Sequence, residues 1–312
     1  MLSRRLFLNG ALGAGAVLAS ARAPVAIAQI SQPQRKRMIV DSQVHIWQAN
    51  TPEHPWVPGA TAQMAEPFTI EKLVAAMDEA GVDRAVIVPP SWVGDRIDYA
   101  REAAKRYPQR FGVMGRLPLK TPQTADELAR WKAQPGMLGI RLTFLGPAAG
   151  MLTDGTTDWL WPAAEKAGVP IMFLTAGTLP LFGRIAEQHP GLTLIIDHMG
   201  ISSQVVAQKK VPEAVDAAAA LAKYPNVSVK LSAAPAYSSE PYPFNDMNDH
   251  IKRLFDVYGP QRSYWGSDIT QGFAKASYKE RIAHFLHELK FLSEEDKDWV
   301  MGRAILSRLN WT

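Results

Sequence analysis

Short runs rich in branched aliphatic residues recur along the chain beyond residue 37, and each is followed by a stretch in which apolar residues return at helical spacing. The short runs predict eight β-strands, at residues 38–44, 84–88, 111–117, 138–142, 170–174, 192–197, 227–231 and 263–266. The longer stretches predict nine helices, at residues 70–80, 96–107, 124–132, 157–166, 180–188, 211–224, 245–257, 278–290 and 294–308. Strands and helices therefore alternate over the whole of this region.

This alternation predicts a parallel sheet, because neighbouring parallel strands need a crossover connection. Eight such units within residues 38–312 are the number that closes a (β/α)8 barrel, a fold of roughly 250 residues. An open doubly wound sheet is the rival fold, and it usually carries a glycine-rich turn after its first strand. Residues 43–47 contain no glycine. We therefore expect an α/β fold, a (β/α)8 TIM barrel, as a single domain over residues 38–312.

The first 28 residues differ from the rest of the chain. Two arginines, Arg4 and Arg5, precede a Gly- and Ala-rich apolar run that ends in a small-residue motif at Ala28, which is the order of a secretory signal peptide. The arginine pair followed by Phe and Leu resembles a twin-arginine (Tat) signal, and the apolar run is shorter than the ~20 residues that span a bilayer. We predict a twin-arginine-type signal at residues 1–28, a linker at residues 29–37, and a periplasmic mature protein without a membrane anchor.

Composition and charge exclude several classes of function. The chain has no cysteine, which excludes a disulfide scaffold, thiolate metal ligands and a cysteine nucleophile. Its net charge of +4 includes Arg4, Arg5 and Arg22 of the predicted signal, so the mature chain has a charge of only +1. So small a positive excess predicts no nucleic-acid partner. The expected partners are a small-molecule substrate and a second copy of the chain in a homodimer.

The active site of such a barrel lies at the carboxyl ends of the strands. In the first strand, the two-residue period places Asp41, Gln43 and His45 on one side, and we expect Gln43 and His45 to reach the mouth. Later strands end with further polar side chains, namely Arg141, Thr175, His198, Ser232 with the following Tyr237, and Asp268. Any one of these could simply cap a helix or bind the backbone. Two imidazoles and a carboxylate at the ends of strands one, six and eight nevertheless indicate a site.

The strand ends also resemble a known family. The residues that carry the resemblance are Asp-Ser-Gln-Val-His-Ile-Trp at 41–47, Gly-Ile-Arg at 139–141, Ile-Asp-His-Met-Gly at 196–200, Val-Lys-Leu-Ser at 229–232 and Tyr-Trp-Gly-Ser-Asp at 264–268. Together they are similar to the amidohydrolase-related (amidohydrolase 2) family, a branch of a superfamily of barrel hydrolases, lactonases and decarboxylases. Within it the chain looks most like the lactonase group, which includes 2-pyrone-4,6-dicarboxylate lactonase and sugar-lactone hydrolases.

One position departs from the family pattern. The first strand of the family carries His-x-His, and here Gln43 stands in place of the first histidine. The position on strand five that often holds a lysine or histidine ligand is expected to be Thr175 or a neighbour. Glutamine is a poor zinc ligand compared with imidazole. The resemblance therefore implies either no metal or a single divalent ion, zinc if any, on His45, His198 and Asp268.

Hydrolysis of a lactone or ester needs a water nucleophile, a base and positive charge at the developing oxyanion. We predict that Asp268 is the general base and that His45 and His198, or a metal they hold, polarise the carbonyl group. Arg141 has a planar fork that matches a carboxylate, so it is predicted to anchor an acidic substrate, with an ion pair to a neighbouring acid as its alternative role. The predicted substrate-orienting side chains are Gln43, Thr175, Ser232 and Tyr237.

Three functions fit these residues. The first is a hydrolase that opens a lactone, or cleaves a carboxylic ester, of a small acidic or sugar-derived substrate. The second is a metal-dependent non-oxidative decarboxylase on the same barrel, and the third is a periplasmic binding protein that lost its chemistry with the first histidine. Metal dependence separates the first two functions, and the effect of Asp268→Asn on turnover separates an enzyme from a binding protein.

Overall fold

A sheet of eight parallel strands, hydrogen-bonded in chain order, forms the centre of the computed structural model, which describes residues 37–312. The strands are β1 (Val40–Val44), β2 (Arg84–Ile87), β3 (Phe111–Gly115), β4 (Met137–Phe144), β5 (Ile171–Thr175), β6 (Leu194–Ile196), β7 (Val227–Ser232) and β8 (Ser263–Gly266). All eight predicted strands are present, and their ends shift by no more than two residues. The predicted signal peptide, residues 1–28, lies outside the described residues, and so does nearly all of the predicted linker.

The last strand returns to the first, which brings the two edges of the sheet together. The backbone amide of Asp268, just beyond β8, donates a hydrogen bond to the carbonyl of Gln43 in β1 at 2.9 Å. The Ser267 amide donates to the Asp41 carboxylate at 2.8 Å. Helices lie in the connections between successive parallel strands. The structure thus confirms the predicted (β/α)8 TIM barrel.

Twelve α-helices lie within residues 37–312: α1 (Ile70–Ala80), α2 (Asp98–Arg106), α3 (Ala125–Lys132), α4 (Leu160–Ala167), α5 (Leu179–Gln188), α6 (Ser203–Ala207), α7 (Val211–Ala220), α8 (Ala234–Tyr237), α9 (Asn248–Tyr258), α10 (Tyr278–Ala283), α11 (Glu294–Asp298) and α12 (Ala304–Arg308). The sequence pattern missed α6 and α8, which are too short to show a helical period. It also treated the chain after β8 as two helices, whereas π-helical turns at His284–Glu288 and Trp299–Arg303 interrupt them. None of the described helices is long and apolar enough to cross a membrane.

The hydrophobic core has two layers. The larger layer lies between the strands and the surrounding helices and includes Ile87 and Phe173. The smaller layer consists of the alternate residues of the strands, such as Val86 and Met172, which pack against Ile305 of α12. This inner layer fills the barrel with apolar side chains, so the polar ones are left at the carboxyl ends of the strands, where barrel active sites lie.

β1 is irregular, which corrects one expectation. Its pairing with β2 changes register between Asp41 and Val44, and such an irregularity breaks the two-residue period. The Asp41 carboxylate is therefore directed to α10, where it accepts a hydrogen bond from the Tyr278 hydroxyl at 2.6 Å. Gln43 and His45 do share a side, as expected, and their Nε2 atoms are 3.3 Å apart.

The close approach of β8 to its neighbours requires glycine at position 266. A Cβ atom there would lie 2.7 Å from Ser42 Oγ, 3.1 Å from Ser232 Cβ and 3.3 Å from the Gln43 amide nitrogen. We predict that Gly266→Ala lowers the free energy of unfolding by about 1–3 kcal/mol, as overpacking usually does. The matched control is Gly150→Ala, where a Cβ would meet nothing within 4 Å. Urea unfolding measures both variants, and a Gly266→Ala midpoint equal to that of the control would contradict this account of the closure.

Candidate active site

Asp268 lies between two imidazole rings at the carboxyl end of the barrel. Its Oδ1 is 3.4 Å from Nε2 of His45, and its Oδ2 is 3.6 Å from Nε2 of His198. All three side chains are buried. The structure therefore brings together the three residues that the sequence places at the ends of strands one, six and eight.

Hydrogen bonds to Nδ1 orient both imidazoles. Nδ1 of His45 donates to the carbonyl of Val88 at 2.6 Å, so Nε2 carries no proton while the ring is neutral. Nδ1 of His198 is 2.8 Å from the hydroxyl of Ser232, which can donate or accept. Burial lowers the pKa of each ring to about 3, and the charge of Arg141 contributes to this in both cases. Both histidines are therefore neutral at physiological pH.

The Asp268 carboxyl group is set to exchange a proton near neutral pH. Burial raises its pKa to about 7, against the opposing charges of Arg281 and Arg141. Its Oδ1 is buried and has no hydrogen-bond partner in the described part of the chain. This oxygen faces Nε2 of His45 at 3.4 Å, and it is open to a proton or to a hydrogen donated by a water molecule in the cavity. A carboxylate in this position can act as a general base.

Two of the three site residues have a left-handed backbone. The φ angle is 45° at Asp268 and 52° at His198, a conformation that is strained for residues other than glycine and that clusters at functional sites. At Asp268 the loop is held by the buried guanidinium of Arg281, which donates to the carbonyls of Ser267 at 2.9 Å and Gly272 at 2.8 Å. Arg281 is thus a positioning residue, and sequence analysis did not identify it.

A buried cluster of two cations and one anion adjoins the histidines. The Asp197 carboxylate pairs with the Lys230 ammonium and with Nε of Arg141, both at 2.8 Å. Lys230 also donates to Oε1 of Gln43 at 2.6 Å, so the Gln43 amide nitrogen is the atom that faces His45. Although burial acts in the opposite direction, the two cations hold the pKa of Asp197 well below its usual range. One carboxylate thus neutralises only half of the positive charge in the cluster.

Sequence analysis found Arg141 in this cluster but not its two partners. Arg141 takes the alternative role considered for it, an ion pair with a neighbouring acid, Asp197; it also lines the cavity, where the anchoring of an acidic substrate stays a prediction. The sequence does contain one indication of Lys230, because this lysine lies inside a predicted strand whose other residues are apolar or small. A buried ammonium needs an acidic partner, and Asp197 stands at the end of the adjacent strand β6.

A cavity of about 210 Å³ opens at this end of the barrel. Asp268, His45, His198, Arg141 and Tyr237 all line it. The ring of Tyr237 packs edge-on against His198, with ring centres 6.1 Å apart. Burial raises the pKa of the Tyr237 hydroxyl, so this group keeps its proton and can donate a hydrogen bond into the cavity.

Two of the predicted substrate-orienting residues lie behind the histidines instead. Gln43 and Ser232 have no exposed surface, and neither is among the residues that line the cavity. Gln43 contacts His45, and Ser232 contacts His198. They therefore orient the imidazoles, and contact of either residue with substrate stays a prediction.

The end of β5 also differs from the expectation. The Thr175 hydroxyl donates to the carbonyl of Phe144 at 3.3 Å and contacts Thr178, and Thr175 does not line the cavity. Because side chains alternate along a strand, it is the neighbouring Leu174 that faces the cavity. The fifth strand thus presents an apolar side chain to the site.

Comparison with known proteins identifies the family. A family model described as Amidohydrolase matches residues 40–304. The chain belongs to the amidohydrolase family. This amidohydrolase is 25% identical over 241 residues to an L-fucono-1,5-lactonase of Burkholderia ambifaria, an alignment that covers 73% of this chain and 79% of that protein.

Solved structures share the barrel of this amidohydrolase. An amidohydrolase from Burkholderia multivorans with bound zinc has a TM-score of 0.74 at 19% identity and covers 88% of this chain and 99% of that one. A probable 2-pyrone-4,6-dicarboxylic acid hydrolase from Acinetobacter baumannii with citric acid bound has a TM-score of 0.70 at 19% identity, with the same coverage of 88% and 99%. At these identities the likeness confirms the fold.

The donor groups of this amidohydrolase do not match a metal site in their present arrangement. The oxygen of Gln43, which stands at the first ligand position of the family pattern, accepts a hydrogen bond from Lys230 at 2.6 Å. Leu174 occupies the position on β5 that faces the cavity. Within residues 37–312, no three His, Cys, Asp or Glu side chains are grouped so that they could hold a metal ion. We therefore derive the chemistry from the side chains alone, and zinc on His45, His198 and Asp268 stays a prediction.

We predict that Asp197→Asn lowers the free energy of unfolding by about 3–5 kcal/mol, because it leaves two buried cations without a counter-ion. The control is Asp216→Asn, which breaks an ion pair with Arg253 whose two side chains are more than half exposed and which should cost about 0–1 kcal/mol. Urea unfolding measures both losses. A loss for Asp197→Asn no larger than that of the control would contradict the proposed dependence of the cluster on this carboxylate.

Proposed function

We propose that this amidohydrolase is a lactonase, which opens the ring of a small lactone, or cleaves an equivalent carboxylic ester, by attack of water. The observation that carries the proposal is a buried carboxyl group, Asp268, with a pKa of about 7, in contact with two neutral imidazoles in one cavity. Similarity to an L-fucono-1,5-lactonase and to a probable 2-pyrone-4,6-dicarboxylic acid hydrolase supports a ring-opening hydrolase.

The base acts on water. A water molecule in the cavity can donate one hydrogen to Oδ1 of Asp268, which has no hydrogen-bond partner within residues 37–312. As the water oxygen forms a bond to the carbonyl carbon, Asp268 takes its proton. The bond from that carbon to the ring oxygen then breaks, and the Asp268 carboxylic acid returns the proton to the leaving oxygen. The product is a hydroxy acid, and the base is regenerated.

The oxyanion needs donors on the other side of the carbonyl group. When the Ser232 hydroxyl donates to Nδ1 of His198, the proton of that ring lies on Nε2 and can be donated to the oxyanion. Arg141 and Tyr237 line the same cavity and supply further donors. His45 has no proton on Nε2, where it faces the Gln43 amide nitrogen, so in this scheme it donates nothing to the oxyanion. This changes the initial expectation that both histidines polarise the carbonyl.

The ligand set and the acid–base arrangement favour hydrolysis over the two alternatives. A metal-dependent decarboxylase needs several ligands around one ion, whereas the Gln43 oxygen is engaged by Lys230. A binding protein has no need of a strained backbone at Asp268 or of a carboxyl group whose pKa is near 7. A lactone or ester also suits the site better than an amide, because an alkoxide leaves more readily than an amine anion.

Several features of the biology stay predictions. They are the twin-arginine signal at residues 1–28, the periplasmic location, the homodimer and the absence of a nucleic-acid partner. They are consistent with hydrolysis of an imported small molecule outside the cytoplasm, and the chemistry proposed for Asp268 does not depend on any of them.

We predict that Asp268→Asn lowers kcat/KM for lactone hydrolysis by about 10²- to 10⁴-fold, because the amide cannot accept the proton of the attacking water. A pH-indicator assay on a panel of sugar lactones and carboxylated lactones measures the rates. Asp126→Asn, on the exposed face of α3, is the control and should keep the wild-type rate. If Asp268→Asn hydrolyses lactones at the wild-type rate, Asp268 is not the base. If the wild-type protein hydrolyses no lactone of the panel, the proposed function is wrong.

A further inference from the structure

A second cavity, of about 270 Å³, lies beside the catalytic one. Arg141 and Thr143 line both cavities, so the two spaces meet at these side chains of β4. Arg116, just after β3, contributes a guanidinium group to the second cavity, and Leu142 and Met151 contribute apolar surface. A ligand that contacts Arg141 from the catalytic cavity therefore lies next to the cavity that holds Arg116.

Arg116 is held firmly but keeps donors to spare. Its Nε donates to the carbonyl of Pro89 at 2.9 Å, and one Nη2 hydrogen is donated to Oγ1 of Thr143, also at 2.9 Å. A guanidinium group has five N–H donors. The contacts with Pro89 and Thr143 use two of them and fix the plane of the group, which leaves the Nη1 edge for a ligand.

Two guanidinium groups converge on one hydroxyl group. Oγ1 of Thr143 accepts from Nη1 of Arg141 at 2.6 Å and from Nη2 of Arg116 at 2.9 Å. Because its oxygen accepts from both arginines, the hydrogen of this hydroxyl is free to be donated to a third group. The three side chains thus have donors beyond those used in their hydrogen bonds to Asp197, to Pro89 and to one another.

The protein balances the positive charge at this point only in part. Asp197 is shared by Arg141 and Lys230, and the ion pairs within residues 37–312 include none that involves Arg116. Lys120 and Asp95 also line the cavity, but both are exposed and their charges are opposite. Burial lowers the pKa of Arg116 to about 9, and the charge of Arg141 adds to this effect, against the opposing charges of Asp95 and Asp197. An anion bound here would relieve the repulsion between the two cations.

We propose that Arg116, Arg141 and Thr143 bind a carboxylate of the substrate, so that the substrate is a lactone that carries a free carboxylate in addition to its ring. This inference rests on the proposed lactonase function for the identity of the ring. The carboxylate accepts hydrogen bonds from both guanidinium groups and from the hydroxyl of Thr143. Arg116 is then a specificity-determining residue, because it contacts only the part of the ligand that lies beyond the reacting carbonyl.

The kinetic test uses two lactones that differ at one carbon. D-Glucaro-1,4-lactone carries a carboxylate at C6, and D-glucono-1,4-lactone carries a hydroxymethyl group there. We expect the wild-type kcat/KM to favour the carboxylated lactone by about tenfold to a hundredfold, which is the size of a charge-assisted hydrogen bond. Arg116→Met should reduce this ratio mainly through KM, since Arg141 and Thr143 remain, and Arg116→Lys should retain more of it. Arg130→Met, on the exposed face of α3, should keep the wild-type ratio.

A binding measurement separates this inference from the proposed function. Calorimetric titration with D-glucarate and D-gluconate compares two ring-opened acids without any catalysis. We expect the wild-type protein to bind D-glucarate more tightly and Arg116→Met to show a weaker preference. If no lactone of the panel is hydrolysed but this preference is found, the carboxylate site stands and the lactonase function fails. If D-glucarate binds no more tightly than D-gluconate, or if Arg116→Met keeps the wild-type preference for the carboxylated compounds, the carboxylate site is overturned.

Discussion

One buried carboxylate, Asp41, ties the two edges of the barrel to each other and to α10. It accepts hydrogen bonds from the amides of Gln43 at 2.9 Å and Ser267 at 2.8 Å and from the Tyr278 hydroxyl at 2.6 Å. Arg281, from the same helix, binds carbonyls at both ends of residues 267–272. Because Asp268 lies in this loop, the bonds that close the barrel also set the position of the candidate base. Its strained backbone is possible only because the surroundings hold it from both sides.

The electrostatics of the site follow from how its charges are buried. Burial keeps the two imidazoles neutral and raises the pKa of Asp268 to about 7, while Asp197 offsets only one of its two cationic partners. The cavity wall therefore combines a proton acceptor with surplus positive charge. This combination suits a reaction in which water loses a proton and a carbonyl oxygen becomes negative.

The periodicity of the chain was sufficient to predict the barrel, and the polar strand ends were sufficient to predict that His45, His198, Asp268 and Arg141 meet. The periodicity could not predict the register shift in β1, which directs Asp41 toward α10, because a shift of register leaves no trace in composition. Thr175 was predicted where Leu174 faces the cavity, because the apolar run of β5 does not show which of two neighbouring residues faces the inside of the barrel. The partners Lys230 and Asp197, and the positioning residue Arg281, depend on contacts between distant segments, which a single sequence does not display.

The most direct test of the central claim, that a buried carboxyl group with a raised pKa removes the proton from water, is the pH profile of kcat/KM for the chelator-treated wild-type protein. Asp268 works when deprotonated, so the account predicts a rate that rises about tenfold per pH unit below a midpoint of about 7 and then levels off. The histidines, with pKa values of about 3, should add no second step above about pH 5. A profile that is flat between about pH 5 and pH 8, as for a carboxyl group with an ordinary pKa, would contradict the account.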